Sequence, residues 1–294
     1  MIRLVIDSTC DMPQDLISKY HSSVLPLSVS IGNESFRDGV DIQIDRLYSA
    51  MRQGILPQTS QISPSETESI FRSICEEGDD MIYLSFSSGM SGTFQLAKLI
   101  AEDLSREFPE RRLEVVDSEG GSIATGIIAM QTARWISSGK SFEEVVSLLN
   151  EAVSKIQHLF TLDSLNWLAK GGRIAKPAGY VGDKLQIKPI LHVADKTMHV
   201  IRIVRGRKQT LSALVDMLVE RCKDMPKQLI GIAHADDLSV AEEVAQMIHK
   251  VLPEAKTFIL PIGCVLGSHI GIGGVGLFFF REPLSEYDLL SEEL

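Results

Sequence analysis

The stretch Met81-Ile-Tyr-Leu-Ser-Phe86 runs directly into Ser87-Ser-Gly-Met-Ser-Gly-Thr93 and then into the helical run Phe94-Gln-Leu-Ala-Lys-Leu-Ile-Ala101. A short apolar strand, a Ser/Gly turn and a helix in that order form one half of a strand–helix–strand unit. The first N–H groups of such a helix have no partners within it, and the helix dipole adds partial positive charge at that end. Glycines admit close backbone approach, and Ser87, Ser88, Ser91 and Thr93 supply neutral hydroxyl donors. The turn therefore has the outline of a site for a carboxylate or a phosphate. The competing reading is local: Ser91 or Thr93 caps its own helix.

The alternation recurs through the first half of the chain. Residues 2–6 read as a buried strand ending at the polar turn Asp7-Ser-Thr-Cys-Asp11, with a helix from about Pro13. Residues 24–31 read as one strand, Gly32-Asn33 and Asp38-Gly39 as turns, and Asp45 as the cap of a helix over 47–52. Residues 57–64 read as a polar loop in which Ser63 caps the following helix with Glu66 at its third position. Capping leaves Thr59, Ser60 and Gln61 unexplained. Residues 113–116 form a further strand, ending in Asp117-Ser118. A helix over 123–136 is apolar nearly all round, as one covered on both sides would be, and Ser141 introduces another over 142–156. The pattern predicts an α/β fold whose N-terminal part is a three-layer, Rossmann-like parallel sheet. Ligands on such sheets lie at the carboxyl ends of strands, so the loops at Asp7, Thr59, Ser91 and Asp117 are expected to share one rim.

A second α/β domain with a mixed sheet is expected from residue 158, giving domains 1–157 and 158–294. Residues 158–162 read as a strand, and 164–169 as a short helix stopped by Gly171-Gly172. Loop-rich segments follow at Arg173-Ile-Ala-Lys-Pro177 and 179–188. Residues 189–193 and 198–204 form a hairpin about Ala194-Asp-Lys-Thr197. Leu211, Leu214, Val215, Leu218, Val219 and Cys222 line an amphipathic helix. A strand over 229–233 and a helix face carrying Val244, Met247, Ile248, Val251 and Leu252 come next. Strands over 258–262 and 275–280 frame a glycine loop.

At 294 residues the chain is long enough for two such cores. Its net charge of -10 argues against general nucleic-acid binding, which needs an extended basic surface. Yet between Lys170 and Lys208 ten Lys/Arg face two acids, Asp183 and Asp195, so this segment is either a solvated face or a docking surface. From Thr257 to Phe280 no residue carries a formal charge, which raises the question of a membrane span, but six glycines, Pro261 and His269 interrupt it. Cys10, Cys75, Cys222 and Cys264 stand at no metal or redox spacing, and the N-terminus reads as a strand rather than a cleavable signal, so a cytoplasmic location is expected. Of the histidines, His234 ends a strand, while His21, His158, His192, His199 and His249 read as structural or surface residues.

Asp7-Ser-Thr, Thr59-Ser-Gln, the Ser87–Thr93 turn, Val116-Asp-Ser, Leu168-Ala-Lys-Gly-Gly-Arg-Ile, Lys188-Pro-Ile-Leu, Arg205-Gly-Arg-Lys and Gly267-Ser-His269 occur in this order. Each motif is short, but together, over nearly the whole chain, they make it resemble the DegV family. The resemblance implies a bacterial cytoplasmic fatty-acid-binding protein of two α/β domains with the acyl chain between them. It also implies a fatty acid kinase as partner, making acyl phosphate for phospholipid synthesis, with transient contact at a membrane surface and no cofactor or metal. Carried over by motif, Thr59, Ser60, Ser91, Gly92 and His269 would hold the carboxylate, and Arg173 and Arg205 would meet the kinase. Where the family has His-Thr-Gly-Pro-Gly, this chain has His269-Ile-Gly-Ile-Gly273, which predicts a more apolar pocket near the head group and a less rigid loop.

Two enzymatic alternatives follow from the same residues. One is an acyl hydrolase with Ser91 as nucleophile, His269 as base and Asp117 or Asp236 as the orienting acid, although the turn lacks the Gly-x-Ser-x-Gly frame. The other is a kinase that binds phosphate at the 263–276 loop, which has no lysine or arginine.

Overall fold

All residues of β6 (Asp80–Ser85) are buried, because this strand runs through the interior of a parallel sheet with helices on both faces. The computed structural model describes residues 1–174 and 186–287. β1 (Ile2–Asp7) pairs with β6 in parallel from Ile2 opposite Asp80 to Ile6 opposite Leu84. With β2 (Ser23–Leu25) and β7 (Leu113–Asp117) the sheet order is β2-β1-β6-β7, all parallel. The connections carry α1 (Gln14–Lys19), α3 (Pro64–Glu76) and α4 (Thr93–Glu107).

An insertion between β2 and α3 departs from the sequence reading in three ways. Residues 24–31 are two strands rather than one: Pro26, which has no N–H to give a ladder, separates β2 from β3 (Ser28–Ile31), and the two belong to different sheets. The loop over 57–64 contains a strand, β5 (Gln58–Ser60), which joins β3 and β4 (Glu34–Arg37) in a three-stranded antiparallel sheet and fixes Thr59 opposite Val29. Asp45 does not cap. Instead α2 (Ile44–Arg52) begins after Gln43 with no side-chain cap bond, and Asp45 lies in its first turn, where its charge suits the helix dipole. Ser63 does accept the Glu66 N–H at the start of α3.

α5 (Ile123–Ser137) packs against β1 on one side and against β8 (Ile156–Thr161), β11 (Leu229–His234) and β13 (Val275–Phe280) on the other, which accounts for its nearly all-apolar surface. α6 (Phe142–Lys155) follows with a complete capping box at Ser141 and Glu144. The second sheet has the order β10-β9-β8-β13-β11-β12, with only β11 and β12 (Lys256–Pro261) parallel. β9 (Ile187–Ala194) and β10 (Thr197–Arg205) form the expected hairpin. α7 (Asn166–Lys170), α8 (Arg207–Arg221) and α9 (Leu238–Val251) match the predicted helices. The glycine loop before β13 instead contains a helix, α10 (Cys264–Ile270). Of the loop-rich segments after Gly172, residues 175–185 lie outside the described residues.

One apolar cluster runs from Ile6 and Leu84 through Ile127 to Phe258 and Phe278, so the two sheets share core across α5. All four cysteines are free and buried, and among the described residues no helix is long and apolar enough to cross a membrane. The approach of α5 to the turn after β1 is close: a Cβ on Gly126 would lie 2.6 Å from the Cys10 carbonyl oxygen. Alanine is the better helix former by about 1 kcal/mol, but a backbone carbonyl cannot swing away. Gly126→Ala is therefore expected to lower stability by about 1–3 kcal/mol in urea unfolding, and a variant as stable as the wild type would contradict this packing.

Candidate functional site

The carboxyl ends of β1, β6 and β7 lie level, since Ile6 faces Leu84 and Ser85 faces Asp117. Asp7 ends β1 and ties this rim together. Its carboxylate accepts the Thr9 hydroxyl at 2.5 Å, the Thr9 N–H at 3.0 Å, the Tyr83 hydroxyl at 2.9 Å and the Phe86 N–H at 2.8 Å. Burial raises its pKa and these donors oppose the rise. The Ser/Gly turn after β6 then divides by function. Its first half clasps the second sheet: the Ser87 hydroxyl donates to the Lys196 carbonyl at 2.7 Å. Asp117 takes the Ser88 N–H at 3.1 Å and pairs with the Lys196 ammonium at 3.0 Å.

The second half faces a cavity of about 40 Å³ that brings together Thr59, Ser60, Ser91, Arg173 and His269. Ser91 Oγ accepts the Thr93 N–H at 3.2 Å and shares a 2.9 Å hydrogen bond with the Thr93 hydroxyl, but the N-cap of α4 is Gly92, with no side-chain cap bond, so neither Ser91 nor Thr93 caps the helix as the local reading expected. Ser60 is exposed at the cavity's edge. Gly92 lies against the Thr-Ser-Gln strand end: a Cβ there would sit 2.2 Å from Gln61 Oε1.

His269 is 9% exposed, and its Nε2 lies 2.8 Å from Thr59 Oγ1. Its Nδ1 has no hydrogen-bond partner among the described residues and presses on Gly171, where a Cβ would lie 2.2 Å away. The Gly-Gly motif after α7 thus makes room for the ring. Burial lowers the His269 pKa to about 4, with the nearby Arg173 charge adding to the shift, so the ring is neutral at pH 7. Arg173 is half-buried and donates from Nε to the Met90 carbonyl at 3.3 Å and from Nη1 to the Gly171 carbonyl at 2.6 Å.

Carboxylates from the first half of the chain hold α10, the helix that carries His269. Asp11 accepts the Gly263 N–H at 2.9 Å, and Asp38 accepts those of Cys264 and Val265 at 3.1 and 3.3 Å. Burial pushes Asp11 up to about 7 and also raises Asp38. The free N–H groups that would have served a phosphate are therefore already taken by acidic side chains, against the reading of the 263–276 loop as a phosphate site.

Phe86, Met90, Met198, Leu266 and Ile270 line the polar cavity and also a second, apolar cavity of about 50 Å³, whose further wall includes His158, Phe160 and Phe278. Both volumes are small beside the about 150 Å³ that accommodates benzene, so a long chain would enter only as these side chains part, and Met90 and Met198 are the most adaptable of them. A larger hollow of about 560 Å³, lined by Ile2, Arg3, Arg112, Lys140 and Phe142 among others, lies at the opposite ends of the strands and contains none of the predicted site residues. Of the two isoleucines in the His269–Gly273 run, Ile270 lines both cavities and Ile272 lines neither.

Ser91 and His269 are not joined as nucleophile and base, since Ser91 bonds Thr93 and the ring bonds Thr59. Asp117 pairs with Lys196, and Asp236 with Arg52. Within the basic segment Lys188 and Arg207 pair with Asp163, at 3.0 and 2.5 Å, while Arg202, Arg205 and Lys208 are exposed. Arg205, at the end of β10, lines neither cavity. Sequence reasoning missed Phe86, Met90, Met198, Phe160 and Phe278, and it treated His158 as structural or surface. His158 and Phe160 alternate on β8 and Phe86 and Met90 share the turn after β6, but Met198 and Phe278 come from β10 and β13, and no spacing in the sequence links the four segments.

A family profile described as uncharacterised protein, DegV family, matches residues 1–282. The chain belongs to the DegV family. A DegV domain-containing protein of Clostridium perfringens is 34% identical over 283 residues, covering 94% of this chain and 97% of that one. Among solved structures, a stearic acid-binding protein from Eubacterium ventriosum superposes with a TM-score of 0.88 at 26% identity, covering 96% of this chain and 99% of the other. DegV of Bacillus subtilis, described as a fatty acid binding protein, gives a TM-score of 0.84 at 26% identity, with 95% and 99% covered.

The depressed pKa of the DegV-family histidine predicts a pH effect with a definite sign. In the unfolded chain His269 protonates near 6.5, but in the folded chain only near 4, so between these values the unfolded state binds more protons and acid favours unfolding. Wild type should lose stability relative to His269→Gln as pH falls through that window, by on the order of 3 kcal/mol, with no further change below it. A difference that stays flat from neutral pH to pH 4 would contradict the buried, neutral ring.

Proposed function

We propose that this protein is a fatty-acid carrier that buries a long acyl tail and presents the carboxylate to a partner kinase for acyl-phosphate formation. The observation that carries this reading is the shared wall: a polar cavity with Thr59, Ser91, His269 and Arg173 has five wall residues in common with an apolar cavity. A ligand with one charged end and one long nonpolar end matches that pairing, and the fatty-acid-binding relatives of known structure support it. In this reading the domains divide at 1–157 and 158–294, and the tail lies between them in a cytoplasmic protein.

The tail sets the affinity. At about 0.8 kcal/mol per methylene, about fifteen methylenes give a gross gain on the order of 12 kcal/mol, before the costs of association. The head group is held by hydrogen bonds of roughly 1.5–3 kcal/mol each, which mainly offset the desolvation of the carboxylate. A neutral His269 suits this role. With its proton on Nε2 it donates to the Thr59 oxygen, which turns the Thr59 proton toward the ligand. Arg173 contributes positive charge at the mouth, but its Nε and Nη1 already serve the Met90 and Gly171 carbonyls, so it does not clamp both carboxylate oxygens through its edge. One oxygen is then left nucleophilic toward a phosphoryl group supplied by the kinase. The chemistry asks for no catalytic group, metal or cofactor in this chain. Arg173 and Arg205, with the exposed Arg202 and Lys208, form the surface toward the kinase.

Mass spectrometry of small molecules released on denaturation should find a stoichiometric long-chain fatty acid, and protein shown free of any acid and unable to take one up would end the carrier reading. Thr59→Ala and Ser91→Ala should fold normally and bind fatty acid about tenfold or more weakly, the equivalent of about 1.4 kcal/mol. Unchanged binding in both would remove them from the head-group site. Arg205→Ala should keep its lipid and slow acyl-phosphate formation by the kinase, and an unchanged rate would show that the kinase docks elsewhere.

A further inference from the structure

His192 on β9 and His199 on β10 stand directly opposite each other in the antiparallel pair, so both side chains leave the same face of the sheet. That face is turned away from the lipid cavities. Leu159, the neighbour of His192 on β8, packs with Ile190 and the residues of α8, whereas Phe160, Val193 and Met198, one residue along each strand, line the apolar cavity. His199 is exposed and His192 partly buried. Arg221, in the last turn of α8, is close enough to act on His192, so the pair lies by the end of that helix.

The two ring centroids are 6.0 Å apart and the rings are inclined by 72°. With metal–nitrogen bonds of about 2.0–2.1 Å, two imidazoles that share an ion place their centroids roughly 5–6.5 Å apart, so this pair needs only side-chain rotation to do so. The His199 Nε2 lies 3.1 Å from the Ala194 carbonyl, which can only accept, and 2.9 Å from the Thr197 hydroxyl. The proton is therefore on Nε2 and the lone pair on Nδ1. A ligating histidine ordinarily donates its other N–H to a carbonyl in this way, which fixes the tautomer and raises the basicity of the ring. Burial lowers the His192 pKa; the Arg221 and His199 charges add to the shift and the exposed Asp195 opposes it. The neutral, metal-binding form of the ring therefore prevails at pH 7. Arg221 is itself engaged, donating from Nη1 to the Gln157 side chain at 3.2 Å. Two imidazoles directly opposite each other repel as they protonate, whereas an ion between them turns the same juxtaposition into a chelate.

We propose that His192 and His199 form a site for a divalent transition metal that favours imidazole nitrogen, such as Zn²⁺, Ni²⁺ or Cu²⁺. Among the described residues no group of three or more His, Cys, Asp or Glu is placed to hold an ion, so two protein ligands carry the site and water completes the coordination. Mg²⁺ and Ca²⁺, which take oxygen ligands, do not suit it. The ion ties β9 to β10 within the hairpin whose turn residue Lys196 is held by Ser87 and Asp117.

Calorimetric titration of the full chain with ZnCl₂ near neutral pH tests this. Wild type should show a zinc site that weakens about tenfold or more in His192→Ala and in His199→Ala, and that is unchanged in His249→Ala, an exposed histidine on another element. ZnCl₂ should raise the unfolding temperature of wild type and not that of the doubly substituted chain, and MgCl₂ should raise neither. With CuCl₂, electron paramagnetic resonance should show nitrogen ligands that the double substitution removes. No zinc site in wild type, or a site that either single substitution leaves equally tight, overturns the assignment. Circular dichroism checks that the variants fold, and should His192→Ala not fold, His199→Ala, at an exposed position, decides the matter.

Discussion

Asp11 and Asp38 take the free N–H groups at the start of α10, and the candidate site depends on that attachment. Both residues stand in loops that follow strands of the first half of the chain, whereas α10 joins two strands of the second sheet. Carboxylates at a helix N-terminus satisfy orphan donors and meet the positive end of the dipole at once. The attachment turns a glycine-rich connection into a helix and aims His269 at Thr59. It also brings Leu266 and Ile270 into the wall between the polar and apolar cavities.

The rest of the site follows from contacts of the same kind, each joining elements far apart in sequence. Ser87 and Asp117 hold the hairpin turn at Lys196, which places Met198 opposite Met90 in the wall. β5 hangs on β3 and delivers Thr59, while Gly171 lets the His269 ring settle beneath the end of α7. A neutral hydroxyl–imidazole pair beside one partly engaged guanidinium is well suited to steadying a carboxylate without tying up both its oxygens. The acids able to activate a serine are committed to Lys196 and Arg52 instead.

Much of this was legible in the sequence because periodicity and caps are local. β1, β6 and β7 of the first sheet, the all-round apolar α5 and the amphipathic α8 all announce themselves within a few turns of chain. Thr59, which capping leaves unexplained, and His269 in its glycine loop line one cavity. Failures came where the decisive partner is remote. Nothing near residue 264 shows that Asp38 will cap a helix there, and nothing near Gln58 shows that β3 will recruit it as a strand. The apolar wall was invisible for the same reason, since Phe86, Met90, Phe160, Met198 and Phe278 meet only once both sheets have packed on α5.

Anomalous diffraction from crystals grown with a terminally brominated long-chain fatty acid tests the central claim most directly, because it locates both ends of the ligand. The account predicts the bromine within the apolar cavity near Phe160 and Phe278, and the carboxylate within hydrogen-bonding distance of Thr59 and Ser91. A bromine at the surface, in the hollow bordered by Arg3 and Lys140, or with the chain reversed so that the carboxylate lies beside Phe278, would contradict it.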